Sequence, residues 1–472
     1  VGVQTGNRSK KPAKRSAREL VLDVLTRVEQ DGSYSNLLLG RSLDDGTLER
    51  ADAALATELV YGTIQRLNTI DYFLERWVRK GIQSLQPWVR CLLRLSFYQL
   101  HYLQRIPDHA AVNEAVTIAR KRGHAGIAGL VNAVLRSAIR QRADLIVPEN
   151  LPAARRISLA HSHPEWLVER WIRQYGEATT EAMCAANNMP PHSSARANTL
   201  RHSREALLAE LTTAGIAATA SELSPAGIVL SEGGNWAQTD AYARGDLSIQ
   251  DESSMLVAEI VNPQPGMRVL DCCAAPGGKT GHLAEKMLDR GELWACDLHA
   301  HKVKLIEQQA KRLQLTCIHT IAGDARELIE RFAAESFDSV LLDAPCTGLG
   351  VIRRKPDIKW AKQPEDIAAI SQVQRELLSR IASLVKPGGT LVYSTCTIDA
   401  EENQQVIAGF LAEHPDFAPD LVEPTPEHQP PAANLPAPLR QSLQTNGMVQ
   451  ILPHEYGSDG FFIAKLRKRP QM

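Results

Sequence analysis

Across residues 16–142 the apolar positions recur at helical spacing. Leu20, Val21, Val24, Leu25 and Val28 share one face, as do Leu67, Ile70, Leu74 and Trp77. Asp71, Pro87 and Asp108 stand near helix starts, and Gly62, Gly81 and Gly123 near breaks. No strand pattern intervenes, so residues 16–145 are expected to form an all-helical domain. Val147-Pro148-Glu149-Asn150-Leu151-Pro152 reads as a linker. Residues 155–245 mix helical stretches (Trp166–Tyr175, Ser203–Ala214) with short strand candidates (Ala195–Leu200, Gly227–Leu230), the pattern of a small α+β module. From Asp246 the period changes again. Short apolar runs predict strands at Arg268–Asp271, Glu292–Asp297, Thr316–Ile321, Ser339–Asp343, Thr390–Cys396 and Phe461–Leu466. Between them lie helical patterns at Thr280–Leu288, His299–Leu313, Ala325–Phe332 and Pro364–Leu384. Such alternation builds a doubly wound, mostly parallel sheet, so residues 246–472 are expected to form a Rossmann-like α/β domain. Glu423–Pro438 is proline-rich and is expected to be an exposed loop.

Composition sets the class. The chain has 472 residues, 44% hydrophobic and 23% charged, which is ordinary for a soluble multidomain protein. No apolar run approaches membrane-spanning length and no secretory signal is visible, so a cytoplasmic monomer is expected. Eight cysteines without C-x-x-C or knot-like spacing fit a reducing compartment. Adjacent Cys272 and Cys273 read as packing around a loop. His161 and His163 lack further ligands at suitable spacing, so no metal site is expected.

Net charge is −1 but unevenly spread: residues 1–150 carry 22 Lys+Arg against 15 Asp+Glu, and residues 246–472 carry 23 against 30. The basic first part suggests a polyanionic partner. Arg120, Lys121, Arg122, Arg136, Arg140 and Arg142 occur with no acid between them, a stronger signal than the tail Lys10–Arg18.

The chemistry gathers at strand ends. Asp343-Ala344-Pro345-Cys346 and Ser394-Thr395-Cys396 each close an apolar run. If those strands are parallel neighbours, Cys346 and Cys396 share the edge where open α/β sheets bind ligands. A third run, Val269-Leu270-Asp271, leads through Cys273-Ala274-Ala275-Pro276-Gly277-Gly278-Lys279 into a helix. Glycines there let backbone approach a ligand, and the helix start offers free N–H groups. The loop matches neither the P-loop nor G-x-G-x-x-G. Asp297 and Asp324 end successive strands, where carboxylates can take a ribose and an adenine amino group, although either also suits a helix cap. Together they favour a nucleoside-type cofactor, with a nicotinamide dinucleotide as the alternative. Ile352-Arg353-Arg354-Lys355-Pro356-Asp357-Ile358-Lys359-Trp360 reads as a basic loop able to grip phosphates and stack a base. Trp236 and Tyr242 read as aromatics that either stack on bases or, more commonly, fill core, and Phe461 and Phe462 as either pocket wall or strand core.

Residues 106–116 and 129–136 resemble the NusB family of RNA-binding helical domains. Cys273–Lys279, Asp343–Cys346 and Ser394–Cys396 look like the motifs of the RNA cytosine-5-methyltransferases. The order of parts is similar to the bacterial RsmB (Sun/Fmu) family of 16S ribosomal RNA enzymes. The resemblance implies a class I methyltransferase domain that uses S-adenosyl-L-methionine. It implies cofactor contacts at Cys273, Ala274, Ala275, Pro276, Gly277, Gly278, Lys279, Asp297, Asp324 and Asp343. It also implies Cys396 as nucleophile and Cys346 as the group that assists breakdown of the adduct. DNA cytosine methyltransferases use the Pro-Cys position instead, so the swapped assignment stays open. Asp343 is expected to hydrogen-bond N3 of the cytosine, provided that either group carries a proton. Lys279, with Arg353–Lys355, is expected to supply positive potential that lowers the nucleophile's pKa. Small-subunit rRNA is the expected substrate, with transfer RNA, or a non-catalytic RNA-binding role, as the alternatives.

Overall fold

The computed structural model describes residues 16–32, 34–44, 48–230, 235–421 and 435–470. Residues 10–15 of the basic tail and 423–434 of the proline-rich stretch lie outside the described residues. The chain forms two compact units. One contains Val1–Cys184 together with Lys355–Ala361, and the other contains Ala185–Arg354 together with Lys362–Met472.

The first unit is helical. Ser16 caps the helix Ala17–Asp31 in a capping box with Glu19. The central helix, Pro87–Tyr102, starts on proline and buries residues Val89 to Leu100 on all sides. Its Arg94 is buried, with Asp71 at 2.6 Å and Glu29 at 2.7 Å to match its charge. Pro87, Asp108 and Gly123 bound helices as expected. Gly62 does not break its helix, because Arg50–Gln65 runs through it. A side chain there would overlap the Tyr98 ring, so close packing explains this glycine. Three of the basic-stretch cations are paired internally: Lys121 with Glu19, Arg122 with Asp23 and Arg142 with Asp108.

The short segment Lys355–Ala361 is built into this same unit. Asp357 accepts from Ser35 Oγ at 2.6 Å, Lys359 Nζ donates to Gln65 O at 3.0 Å, and Trp360 Nε1 donates to Ile64 O at 2.8 Å. Lys359 is fully buried. The expectation of an open phosphate-gripping loop with a stacking tryptophan is therefore wrong for Lys359 and Trp360. Both complete a helical core.

The second unit carries two sheets. Four short strands, β1 (Ser193–Ala197), β2 (Ala218–Ala220), β3 (Gly227–Leu230) and β4 (Leu247–Ile249), form an antiparallel sheet in the order β2-β3-β1-β4. Trp236 is buried against it, and the Arg312 guanidinium lies 4.0 Å from the Tyr242 ring, so both aromatics are structural. The larger sheet holds β5 (Arg268–Asp271), β6 (Glu292–Asp297), β7 (Ile318–Ala322), β8 (Phe337–Asp343), β9 (Val385–Thr395), β10 (Phe417–Pro419), β11 (Met448–Ile451) and β12 (Phe461–Lys468). Its order is β10-β12-β9-β8-β5-β6-β7, with β11 against β12. Strands β5 to β9 run parallel, and β12 joins β9 antiparallel.

Alternate residues fill the two faces of this sheet. Val269, Leu293, Leu341 and Val392 pack into one layer, and Leu270, Val340, Leu342 and Tyr393 into the other. Strand order reverses between β5 and β8, so the crevice beyond their carboxyl ends is the topological switch point.

Candidate functional site

Three exits from the sheet meet at that crevice. Strand β8 ends in Asp343, paired in register with Ser394 of β9, and Ala344 N–H donates to Ser394 O at 2.8 Å. Cys346 and Cys396 leave these strands side by side, with their sulfurs 3.4 Å apart. The neighbouring Cys396 sulfur, followed by burial, pushes the Cys346 thiol well above its ordinary pKa. Behind Cys396 the backbone is tightly stacked. Gly350 N–H donates to Cys396 O at 3.0 Å and Gly460 N–H to Gly350 O at 2.8 Å. A Cβ on Gly350 would overlap the Gly460 carbonyl.

Lys279 reaches in from the helix Gly278–Lys286. Its Nζ lies 2.7 Å from Asp343 Oδ2 and 5.2 Å from the centre of the Phe461 ring. Burial works to lower the Lys279 pKa, but the Asp343 carboxylate, with Cys396 and Asp271, outweighs it and the net shift is upward. The other Asp343 oxygen accepts from Ser394 Oγ at 2.8 Å. Ser394 stands in the motif read from sequence, where it carried no role of its own. Phe461 and Phe462 are both buried in strand β12.

Beside the thiols lies a cavity of about 440 Å³ whose wall includes Cys273, Ala275, Asp297, Leu298, Asp324, Asp343, Cys346 and Cys396. Ala274, Pro276, Gly277, Gly278 and Lys279 are not in that wall and form the turn beside it. The turn needs its glycine: Gly277 has φ +103°, and a Cβ there would press on Ile306 Cα at 3.2 Å. The Asp271 side chain below the turn accepts from Thr280 Oγ1 at 2.7 Å, and burial raises its carboxyl pKa to about 7 against that bond.

Asp297 accepts from His299 N–H, and Asp324 from Arg326 N–H, so each carboxylate also caps a local turn. The Arg326 guanidinium, 2.5 Å from Asp324, holds the latter carboxyl below its usual range. Strand-end carboxylates, a glycine turn opening a helix and the exposed apolar Leu298 suit a nucleoside-type molecule, and the volume accommodates one.

Arg353 and Arg354 do not face this cavity with free charge. Arg353 donates to the carbonyls of Pro453 and Gly457, and Arg354 pairs with Asp251 at 2.7 Å and Asp459 at 2.8 Å. Lys279 therefore remains as the cation near the thiols among the residues named from sequence. A second group went unseen in the sequence. Thr347, Gln374, Thr397, Glu402 and Asn403 form a buried polar frame around the two cysteine loops. Among the described residues, no group of three His, Cys, Asp or Glu could hold a metal ion, and no helix is long and apolar enough to cross a membrane.

Comparison with known proteins gives a consistent picture. Residues 258–467 match the family described as 16S rRNA methyltransferase RsmB/F, residues 15–140 the NusB family, and residues 163–236 the RsmF/B-like ferredoxin-like domain. The chain is 46% identical to a probable ribosomal RNA small subunit methyltransferase B of Bacillus subtilis, covering 97% of this chain and 99% of that protein. It is 37% identical to the ribosomal RNA small subunit methyltransferase B of Pseudomonas putida, over 89% and 92% of the two chains. Among solved structures, PH0851 aligns with TM-score 0.77 and 28% identity over 98% of this chain and all of that one. A methyltransferase homolog from Pyrococcus horikoshii aligns with TM-score 0.56 and 28% identity over 67% and 99%.

Proposed function

The chain belongs to the RsmB/F family of 16S rRNA methyltransferases, and from that membership we propose that it methylates C5 of one cytosine in small-subunit rRNA through a covalent cysteine–cytosine adduct. S-adenosyl-L-methionine supplies the methyl group. The observation that carries this reading is the pair of sulfurs 3.4 Å apart on the wall of a nucleoside-sized cavity.

Cytosine C5 is a poor nucleophile, and a thiolate added at C6 makes it enamine-like. Cys396 is the nucleophile in this proposal. The Lys279 ammonium is a favourable neighbour for its sulfur, and contact with that sulfur pushes the Cys346 thiol up. The Lys279–Asp343 pair serves the N3 side of the base, where Asp343 accepts a hydrogen bond once N3 carries a proton in the adduct. After methyl transfer a water in the cavity takes the C5 proton, the freed electron pair re-forms the C5–C6 double bond, and the Cys396 sulfur leaves as a thiolate that the Cys346 thiol can protonate. Cys346 is close enough to assist that departure. Asp297 and Asp324 would hold the ribose and adenine of that cofactor, and the turn Cys273–Lys279 would approach the rest of it. C5 is inaccessible within a paired helix, so the target base is unpaired or flipped out.

In this reading residues 16–145 position RNA, 155–245 form the small intermediate module and 246–472 carry out transfer. Thiols that must stay reduced suit the cytoplasm, and the enzyme works as a monomer without metal.

The test uses labelled S-adenosyl-L-methionine and unmodified small-subunit rRNA, with products separated on denaturing gels. Cys396→Ala is expected to yield neither methylated RNA nor adduct, and Cys346→Ala to accumulate adduct. The reverse pattern swaps the two roles. Transfer to transfer RNA alone overturns the substrate, and no transfer to either RNA by wild type favours a non-catalytic RNA-binding role.

A further inference from the structure

Each cysteine is followed by a threonine, and both threonines turn to the same buried side chain. Glu402 Oε2 accepts from Thr347 N–H at 2.9 Å and from Gln374 Nε2 at 3.1 Å. Glu402 Oε1 accepts from the hydroxyls of Thr347 and Thr397, which lie 3.1 Å from each other. Gln374 Nε2 also donates to Pro345 O at 2.9 Å, one residue before Cys346. Glu402 is fully buried, its donors are neutral, and burial pushes its carboxyl above the usual range. A buried carboxylate with only neutral donors carries a desolvation cost that no ion pair offsets, so stability alone does not account for it.

The next residue grips the other loop independently. Asn403 Oδ1 accepts from Thr395 Oγ1 at 2.6 Å, and Asn403 Nδ2 donates to Thr397 O at 3.1 Å, so it fastens both neighbours of Cys396. With the Gly350 bond to Cys396 O, Cys396 keeps its place without Glu402. The Cys346 loop has the more exclusive dependence, because Thr347 N–H, Thr347 Oγ1 and Gln374 all converge on this carboxylate.

We propose that Glu402 is a positioning residue that sets Cys346 against Cys396, and that without it the covalent adduct forms but is not released. This rests on the adduct chemistry proposed above. Glutamine can do the same work: its oxygen can face Thr347 N–H and Gln374, while its NH2 faces hydroxyls that rotate to accept. The inference therefore concerns geometry, and charge at Glu402 is dispensable.

The full-length protein is assayed with labelled S-adenosyl-L-methionine and unmodified small-subunit rRNA. Wild type, Cys346→Ala, Glu402→Ala, Glu402→Gln and Thr347→Val are compared for released methylated RNA and gel-stable adduct, and cofactor affinity is measured in parallel. Glu402→Ala is expected to keep cofactor affinity, to accumulate adduct as Cys346→Ala does, and to release product about 100-fold more slowly, the cost of a misplacement on the order of 1 Å. Glu402→Gln is expected to restore release to within a few-fold of wild type. Should Glu402→Ala fail to fold, the isosteric Thr347→Val decides, with a smaller accumulation expected. Normal release by Glu402→Ala, equal impairment of Glu402→Gln, or no adduct in Thr347→Val overturns the inference while leaving the cysteine assignment intact. If Cys346→Ala itself traps no adduct, the underlying chemistry falls and this inference with it.

Discussion

Asp271 shows how a side chain beside the site is tuned without touching a ligand. Its carboxyl is fully buried, has Thr280 as partner and titrates near 7. Between the unfolded value near 4 and that folded value, the native protein binds more protons than the unfolded chain. Its contribution to stability therefore falls as pH rises through this window. Asp271→Asn keeps an acceptor for Thr280 and removes the charge. In thermal melts from pH 5 to 8, its Tm advantage over wild type is expected to grow with pH and level off above about 7. The same physics explains what was legible at this scale. Asp271, Asp297, Asp343, Cys346 and Cys396 were visible because each closes an apolar run or follows one by a few residues. Arg353 and Arg354 looked free because Asp251, Pro453, Gly457 and Asp459, which satisfy them, lie about 100 residues away. Glu402 has no local signature: Thr347 and Gln374 reach it only through the fold.

Elements were legible in proportion to their length and apolar content. Strands β5 and β6 match their expected limits, whereas β2 and β4 are three-residue strands that no alternating pattern can mark. Strand β9 starts at Val385, earlier than Thr390, because Lys386-Pro387-Gly388-Gly389 hides its first half. One contact between elements bears directly on the cofactor turn. Arg196 of β1 is fully buried, pairs with Glu285 at 2.7 Å and donates to Gly278 O at 2.9 Å, tying the small sheet to the helix that follows the glycine turn. Arg196→Ala leaves Glu285 buried and unpaired, and is expected to cost about 3–5 kcal/mol in urea unfolding. Gly350→Ala tests a second junction. Its methyl would meet the backbone of Gly460, so methyl transfer is expected to fall by about 100-fold through displacement of Cys396. Labelled-methyl assays would detect that loss, and an unchanged rate would show that the loops can part harmlessly.

At the scale of the molecule, the surprise was Lys355–Ala361, which the sequence suggested would meet RNA and the fold commits to the helical unit. Burial holds Lys359 well below the ordinary lysine pKa. The unfolded chain binds the extra proton, so this residue's contribution to stability is lost as pH falls from about 10 toward its folded value. Lys359→Met is expected to flatten the rise in urea midpoint between pH 7 and 9.5, and an unaltered slope would mean that another group sets it.

The same segment bears on synthesis. The helical unit is encoded first, but its last strip of core follows about 170 residues after Cys184. At ~5–20 residues per second, the emerging helices wait ~10–30 s with the places of Lys359 and Trp360 empty. A nascent chain released in that interval exposes apolar surface that the finished enzyme conceals, which makes it a natural client for chaperones.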